Sequence, residues 1–532
     1  MTSASSFLRS LLIYSICLPL AIFLGYIIAQ EGNPIYSITT YLGILPILFV
    51  LVLPLLLRWH HALLIASWNF GALLYFLPGR PDLWMAMAGL SLIISIVQYI
   101  LNRQLRLLSA SSVTRPLLLL AAVVLVTAQC RGGIGLAIFG SEVQGGKRYF
   151  LIFAAIIGYF AFITRPIPPR HAARYVVLFF LASAGAIIGD LGSILPQSFY
   201  FVYMLFPITQ HGLTSIINSQ VGPAEAVDRL GGVGVACYGA IYALLARYGV
   251  GEIFHSRHVF RCLAFLGLLG LSMLGGFRSH LVLFLLLFSL LFYSEGLMRS
   301  RLLPAVALIA ILIGALLVGF VQRLPLTVQR TLSVLPLPVD PIAKAHAEAS
   351  SEWRIHIWRQ VVPQIPRYLL LGKGLGLSGK ELQAFISVDP RSGLGETNEA
   401  GTEFVSDYHN GPLSVIVPFG LPGVIAFLWF LAASVRALYK NYRYGNPAYS
   451  KLNRFLLVYF IAKIVFFLFV FGNLYSDLAM FAGLMGLSIS LNGGVARRFI
   501  LLPPPQAHAR PLRLPQGARR PLPAQVGIGH AT

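Results

Sequence analysis

Apolar runs of about 20 residues recur along nearly the whole 532-residue chain, and that repeat constrains the fold more than any single motif. Away from water, a run of this length has to pair its own backbone N–H and C=O groups, so each run reads as a membrane helix. Fourteen transmembrane spans are expected, at 10–29, 39–57, 60–77, 83–101, 116–129, 149–164, 173–195, 232–248, 259–276, 280–297, 302–321, 412–435, 454–472 and 475–491. The fold class is an all-α polytopic membrane protein. Composition agrees, with 57% of residues hydrophobic and 11% charged, against roughly 25% charged in a soluble domain. The first run, after Arg9, is long and reads as a retained helix rather than a cleaved signal peptide. The stretch 197–210 is too short and too aromatic to span, and reads as interfacial or re-entrant.

The net charge of +22 would suggest nucleic acid in a soluble protein. Here the position of each charge matters more than the sum. With the N-terminus in the cytoplasm and the spans alternating, inner segments hold 24 basic residues. The short outer loops hold six: Arg80, Arg131, Lys147, Arg148, Arg229 and Arg278. This is the positive-inside pattern. It puts both termini in the cytoplasm and the polar stretch 322–411 outside, on the periplasmic face of a bacterial inner membrane. The chain then divides into a membrane bundle (1–321, about eleven spans), a large periplasmic loop carrying short amphipathic helices (322–411), a second bundle (412–494, about three spans) and a cytoplasmic Pro/Arg-rich tail (495–532) expected to be disordered. The bilayer is the implied partner, not nucleic acid. Cys17, Cys130, Cys237 and Cys262 lie in or beside apolar runs without metal-like pairing and read as small apolar residues.

The loop holds most of the residues able to do chemistry. Arg354 and Trp358 are four apart in a stretch expected to start as a helix at Ser350–Ser351, so they share a face. Pro363 and Pro366 end or kink that helix, and Gly372–Gly376 (GKGLG) follows. That glycine run lacks the Lys-Ser/Thr ending of a phosphate loop. At the loop's end, Pro412 suits a first helical turn, so Asn410 or Gly411 is the expected cap and His409 sits at the mouth of the twelfth span. A neutral imidazole there is a competent general base, with Asp407 and Glu403 near enough in sequence to orient it.

Other basic residues oppose the charge rule. Arg278 occupies a tight outer turn (GGFRS), where a guanidinium has to face headgroups or a polar cavity. Arg131, Lys147 and Arg148 form a second outer group that hints at an anionic ligand. Lys463 lies mid-span, a functional candidate by depth unless Asp477 or Asp190 pairs with it. Each of these charges has a plainer reading as a snorkelling or paired residue.

Taken in order, these features resemble the O-antigen ligase and polymerase superfamily: an arginine at a tight outer turn (GGFRS), a large loop with Arg-x-x-x-Trp (RIHIW), the glycine stretch (LLLGKGLG), His-Asn at the entry to the next span, and FGLPG at Phe419–Gly423. The likeness covers about Leu271–Ala432. At His-Asn this chain continues with Gly411–Pro412, where the family often carries a bulky residue. The resemblance implies a metal-independent, inverting glycosyltransferase without a cofactor. Its donor is a glycan on undecaprenyl diphosphate and its acceptor a glycan or lipid hydroxyl, with polysaccharide-assembly proteins as partners. Arg278 and Arg354 bind the diphosphate and His409 is the base, with Trp358, Asn410, Asp407, Arg131, Lys147, Arg148 and Lys463 in supporting places. Ligation, polymerisation and transfer to protein remain open among the superfamily's activities. The rival reading is a transporter or flippase of lipid-linked oligosaccharide. It calls for polar residues near mid-bilayer, and Lys463 is the residue that speaks for it.

Overall fold

Helices dominate because the apolar runs leave the backbone no other partner in lipid. The computed structural model describes residues 19, 38–75, 77, 79–102, 108–134, 146–193, 195–209, 229–376 and 408–497. The expected span 10–29, apart from residue 19, and the tail after Arg497 lie outside the described residues. The first bundle contains α1 (Ile38–Ser67), α2 (Leu83–Leu101), α3 (Ser111–Cys130), α4 (Lys147–Phe162), α5 (Ala172–Leu181, extended by a 3-10 stretch Ala182–Ser193), α6 (Gly231–Ile253), α7 (Val259–Ser272), α8 (Arg278–Ser294) and α9 (Leu302–Phe320). Two polar-loop helices follow, α10 (Leu326–Leu332) and α11 (Pro341–Val361). The chain closes with α12 (Gly411–Tyr444), α13 (Ser450–Phe469) and α14 (Leu474–Asn492).

Among the described residues nine helical stretches are long and apolar enough to cross a membrane, and Leu51–Ser67 and Arg278–Ser294 are shorter apolar helices. The protein is a multi-pass membrane protein, but the expected fourteen spans are not what these residues carry. The expected spans 39–57 and 60–77 are one helix, α1, so the alternation of fourteen spans that set the side of 322–411 loses one crossing before that loop. The expected break at Arg58–Trp59 holds no glycine or proline to interrupt the helix. Instead His60 Nδ1 meets Ser91 Oγ at 2.8 Å and His61 Nε2 meets the Phe162 carbonyl at 3.0 Å, so both rings are accommodated inside the bundle. Beyond Ser67 the chain leaves the helix through turns, with an isolated antiparallel bridge between Leu73 and Asp82. In the stretch 197–210, the described residues 197–209 form short turns of helix, Gln197–Phe199 and Val202–Leu205.

The core of the bundle is aromatic rings seated on glycines. A Cβ at Gly158 of α4 would come within 2.2 Å of the Trp68 ring, and one at Gly483 of α14 within 2.3 Å. A Cβ at Gly486 would meet Phe162 at 2.5 Å. Small residues let these helices approach where apolar burial alone supplies little drive in lipid. α12 packs on α3 and α13, and α8 packs on α13. α9 has no buried residue and lies at the periphery.

The loop helix α11 starts ten residues before the expected Ser350–Ser351. Asp340 is its N-cap, accepting from Ile342 N at 2.8 Å, with Pro341 in the first position. The alanine-rich stretch between is good helix former, so the earlier cap prevails. Pro363 then turns the end into a short 3-10 segment, as expected.

The glycine stretch and the FGLPG turn explain one another. Pro422 has no N–H, so the Pro418 carbonyl loses its helical donor; Gly374 N supplies one at 2.9 Å. Gly420 is left-handed (φ 62°), which swings Leu421 N away from the helix axis. Leu421 N donates instead to the Leu369 carbonyl (2.7 Å), and Lys373 N takes its place on the Val417 carbonyl (2.7 Å). Thr127, Arg131 and Tyr149 pin the other side: Thr127 Oγ1 donates to Leu371 O (3.1 Å), Arg131 Nε to Gly372 O (2.8 Å), and Leu375 N to Tyr149 Oη (2.7 Å). Gly372 is itself left-handed, and a Cβ there would sit 2.1 Å from the Pro418 carbonyl oxygen. Residues 369–375 are thus a latch onto the kinked α12, not a phosphate loop.

Gly372→Ala should cost about 1–3 kcal/mol from backbone strain alone, and more from the clash. Its thermal unfolding midpoint in detergent is expected to fall clearly below that of Gly314→Ala, a change in α9 with open space around it. Equal midpoints for the two variants would contradict the latch.

Candidate active site

The starts of α12 and α14 and the end of α13 converge under α11. Asn410 caps α12, its side chain accepting from Leu413 N at 3.1 Å. Ser414 Oγ accepts from Leu474 N at 2.9 Å, which ties α12 to α14. Gly411 is needed by packing: a Cβ there would meet the Phe467 carbonyl at 2.1 Å and its ring at 2.6 Å. That contact accounts for a glycine where the resembling family often carries bulk.

His409 is held between these elements with a positive φ of 49°, a conformation rare outside glycine. Strain of this kind persists only where the surroundings over-determine it. Here they do. Trp358 Nε1 donates to the Tyr408 carbonyl at 2.8 Å, and Tyr408 is buried in a small core with Ile357, Val361, Leu413 and Val417. The imidazole lies edge-on between Trp353 and Phe471, each 5.1 Å away by ring centroid. Trp358 therefore positions the histidine from behind and does not line the cavity.

The cavity below α11 has a volume of about 1630 Å³ and is lined by His409, Arg278, Arg354, Trp353 and Phe471, among others. Arg278 Nη2 donates to the Ala347 carbonyl (2.6 Å) and Ser351 Oγ (3.0 Å), so one edge of its guanidinium holds α11 over the bundle. The Arg354 guanidinium stacks over Phe471 at 5.5 Å, and its Nε is buried without a hydrogen-bond partner. Burial first, and then the charge of Arg278, holds Arg354 below the usual arginine pKa. Burial and Arg278 act on Arg229 in the same way. This wall is short of negative charge.

Other expected residues lie elsewhere. Arg131 belongs to the latch and stacks over Tyr368 (5.9 Å). Lys147 donates to the Arg80 carbonyl at 3.4 Å, and Arg148 lies over the Tyr475 ring at 5.3 Å. None of the three lines the cavity. Their exposure to an anion was inferred from the charge rule; the structure gives Arg131 and Lys147 backbone partners and Arg148 a ring. Lys463 does line the cavity, but pairs with Asp477 at 2.8 Å. Asp190 instead bonds Thr209 and Val233 N. Asp407 and Glu403 lie outside the described residues. Residues that pattern reading passed over are Arg229, Arg330, Trp353, Phe471 and His280, all on the cavity wall. Of these, Trp353 stands beside Arg354 in the helix and Arg229 is one of the six outer-loop bases; the other three carried no local signal. Among the described residues no three His, Cys, Asp or Glu side chains converge as a metal site needs.

A comparison with curated proteins finds no match. A scan of family models does: residues 262–428 match the family described as O-antigen ligase. The matched stretch, about a third of the chain, contains Arg278, Arg354, His409 and both halves of the latch, while Arg229 and the Lys463–Asp477 pair fall outside it. Through residues 262–428 the chain matches the O-antigen ligase superfamily.

Proposed function

We propose that the protein transfers a glycan from undecaprenyl diphosphate to an acceptor hydroxyl at the periplasmic face of the bacterial inner membrane, as a ligase or polymerase of surface polysaccharide. The observation that carries this reading is the shared cavity: the strained His409 and the partnerless Nε of Arg354 line one chamber with Arg278. A donor already activated as a diphosphate needs no nucleotide. The acceptor oxygen attacks the anomeric carbon as the carbon–oxygen bond to the diphosphate breaks, which inverts that centre. His409 takes the hydroxyl proton. Charge gathers on the departing diphosphate, and Arg278 and Arg354 stabilise it where water is scarce. Trp358 and the Asn410 cap keep the imidazole aimed. With Lys463 paired to Asp477, the residue that spoke for a transporter has a structural partner.

His409→Ala is expected to lower glycan transfer by about 10²–10⁴-fold, the usual weight of a general base, with the protein still in the membrane. Full-length polymer or fully capped lipid from that variant would sink the assignment. Arg354→Lys keeps the charge and loses the planar fork; a drop of about 10²-fold in turnover is expected, and wild-type rates would leave Arg354 a packing residue. Trp358→Phe removes the donor to the Tyr408 carbonyl. Its mark is a fall in kcat of about tenfold with little change in the donor KM, because orientation is lost and binding is not. A rise in KM alone would place Trp358 in substrate binding. EDTA should leave the rate unchanged; inhibition reversed by a divalent ion would count against a metal-independent reaction.

A further inference from the structure

The cavity holds more positive charge than a diphosphate needs. Five arginines line it, Arg229, Arg278, Arg330, Arg354 and Arg359, of which Arg359 is exposed. Among its described lining residues the acids are Glu352 and Asp477. Asp477 is taken by Lys463, and Glu352 lies on the exposed face of α11. A diphosphate diester carries roughly two negative charges, which two arginine forks can match. Three further guanidinium groups then remain: Arg359 is exposed, while Arg229 and Arg330 lie on a partly dry wall, where an unmatched charge is costly.

Arg330 is the sharper case. It is 4% exposed, and its Nε and Nη1 have no hydrogen-bond partner. It sits on α10, which packs against Met273–Gly275 just before the Arg278 turn, through Thr331 Oγ1 to the Met273 carbonyl at 2.9 Å. Arg229 reaches the same place from the other side. A Cβ on Gly276 would meet Arg229 Cδ at 3.0 Å and Thr327 Cγ2 at 3.1 Å. Thr327 is one helical turn from Arg330 on α10, and Arg229 and Arg330 line the same cavity. Arg278 begins two residues later and turns toward α11.

We propose that Arg229 and Arg330 form a second anion subsite, which takes a carboxylate carried by a sugar of the donor glycan close to its diphosphate. This deepens the proposed function and rests on it: the substrate class becomes an acidic glycan, such as one with a uronic acid near the reducing end. The carboxylate accepts hydrogen bonds from Arg330 and supplies the negative charge the wall lacks. It takes no part in bond breaking.

The test uses full-length protein in nanodiscs and two probes, farnesyl diphosphate-linked glucose and farnesyl diphosphate-linked glucuronic acid, with binding read by titration. The glucuronic acid probe should bind about tenfold more tightly, the scale of one charge-assisted hydrogen bond. Arg330→Gln should bring that ratio close to one, and Arg330→Lys should restore part of it. Arg229→Gln, at a half-buried position, should also lower the ratio and guards against misfolding of the buried variant. Arg354→Gln should weaken both probes and keep the ratio. Equal binding of the two probes by the wild type overturns the subsite. So does an equal loss for both probes in Arg330→Gln, which would make Arg330 a diphosphate ligand. Binding of neither probe overturns the proposed function itself, and the subsite with it.

Discussion

The architecture of the site depends on an exchange of backbone hydrogen bonds between α12 and residues 369–374. Pro422 and the left-handed Gly420 leave the Val417 and Pro418 carbonyls without helical donors. Lys373 and Gly374 supply them, and Leu421 repays Leu369. Each of these buried groups is satisfied only while the loop sits on the helix, and an unsatisfied buried carbonyl is costly. The exchange therefore fixes where the polar loop rejoins the bundle. It also sets the height of α11, which ends just before the latch, and so the positions of Arg354, Trp353 and Trp358 relative to the start of α12.

From that attachment the site is built by opposed constraints. Trp358 pulls on the Tyr408 carbonyl while Asn410 and Gly411 commit the next residues to helix, and His409 is left with a backbone conformation it would not choose alone. On the opposite side Arg278 is anchored to α11 by one nitrogen. The result is a cavity lined by a histidine and arginines together, with His409 and Arg354 both against the Phe471 ring. Such an arrangement is electrostatically unfavourable when empty and well matched to an anionic donor, because fixed charges need no reorganisation as the leaving group gains its charge.

Much of this was legible along the chain. Arg278, Arg354 and His409 could be named because lipid makes polar residues at span ends conspicuous, and the family likeness orders them. The cap at Asn410 followed from Pro412. What was not legible came from contacts with no local signature. Arg330 lies in a seven-residue helix without useful periodicity, and Arg229 counted only as an outer-loop base. Their neighbourhood exists because residues 229, 276 and 327 meet in space. Within the outer basic group, Arg131 donates to a carbonyl in the latch, a contact the charge rule does not signal. The break expected at Arg58–Trp59 divided one helix, α1, in two; neither residue interrupts a helix, and the imidazoles that follow have partners inside the bundle. Competing caps misplaced the start of α11, where Asp340 with Pro341 outweighs the later serines.

The central claim is that this cavity moves a glycan between lipid diphosphate and a hydroxyl. The most direct measurement is the purified protein in vesicles with a polyprenyl-diphosphate-linked glycan and a glycan or lipid acceptor. Released polyprenyl diphosphate is counted against new glycosidic bonds, and the anomeric configuration of the product is read. The account predicts one diphosphate released for each bond formed, with inversion at the transferred sugar. Glycan-lipid that crosses the bilayer intact, with no diphosphate released, would contradict it.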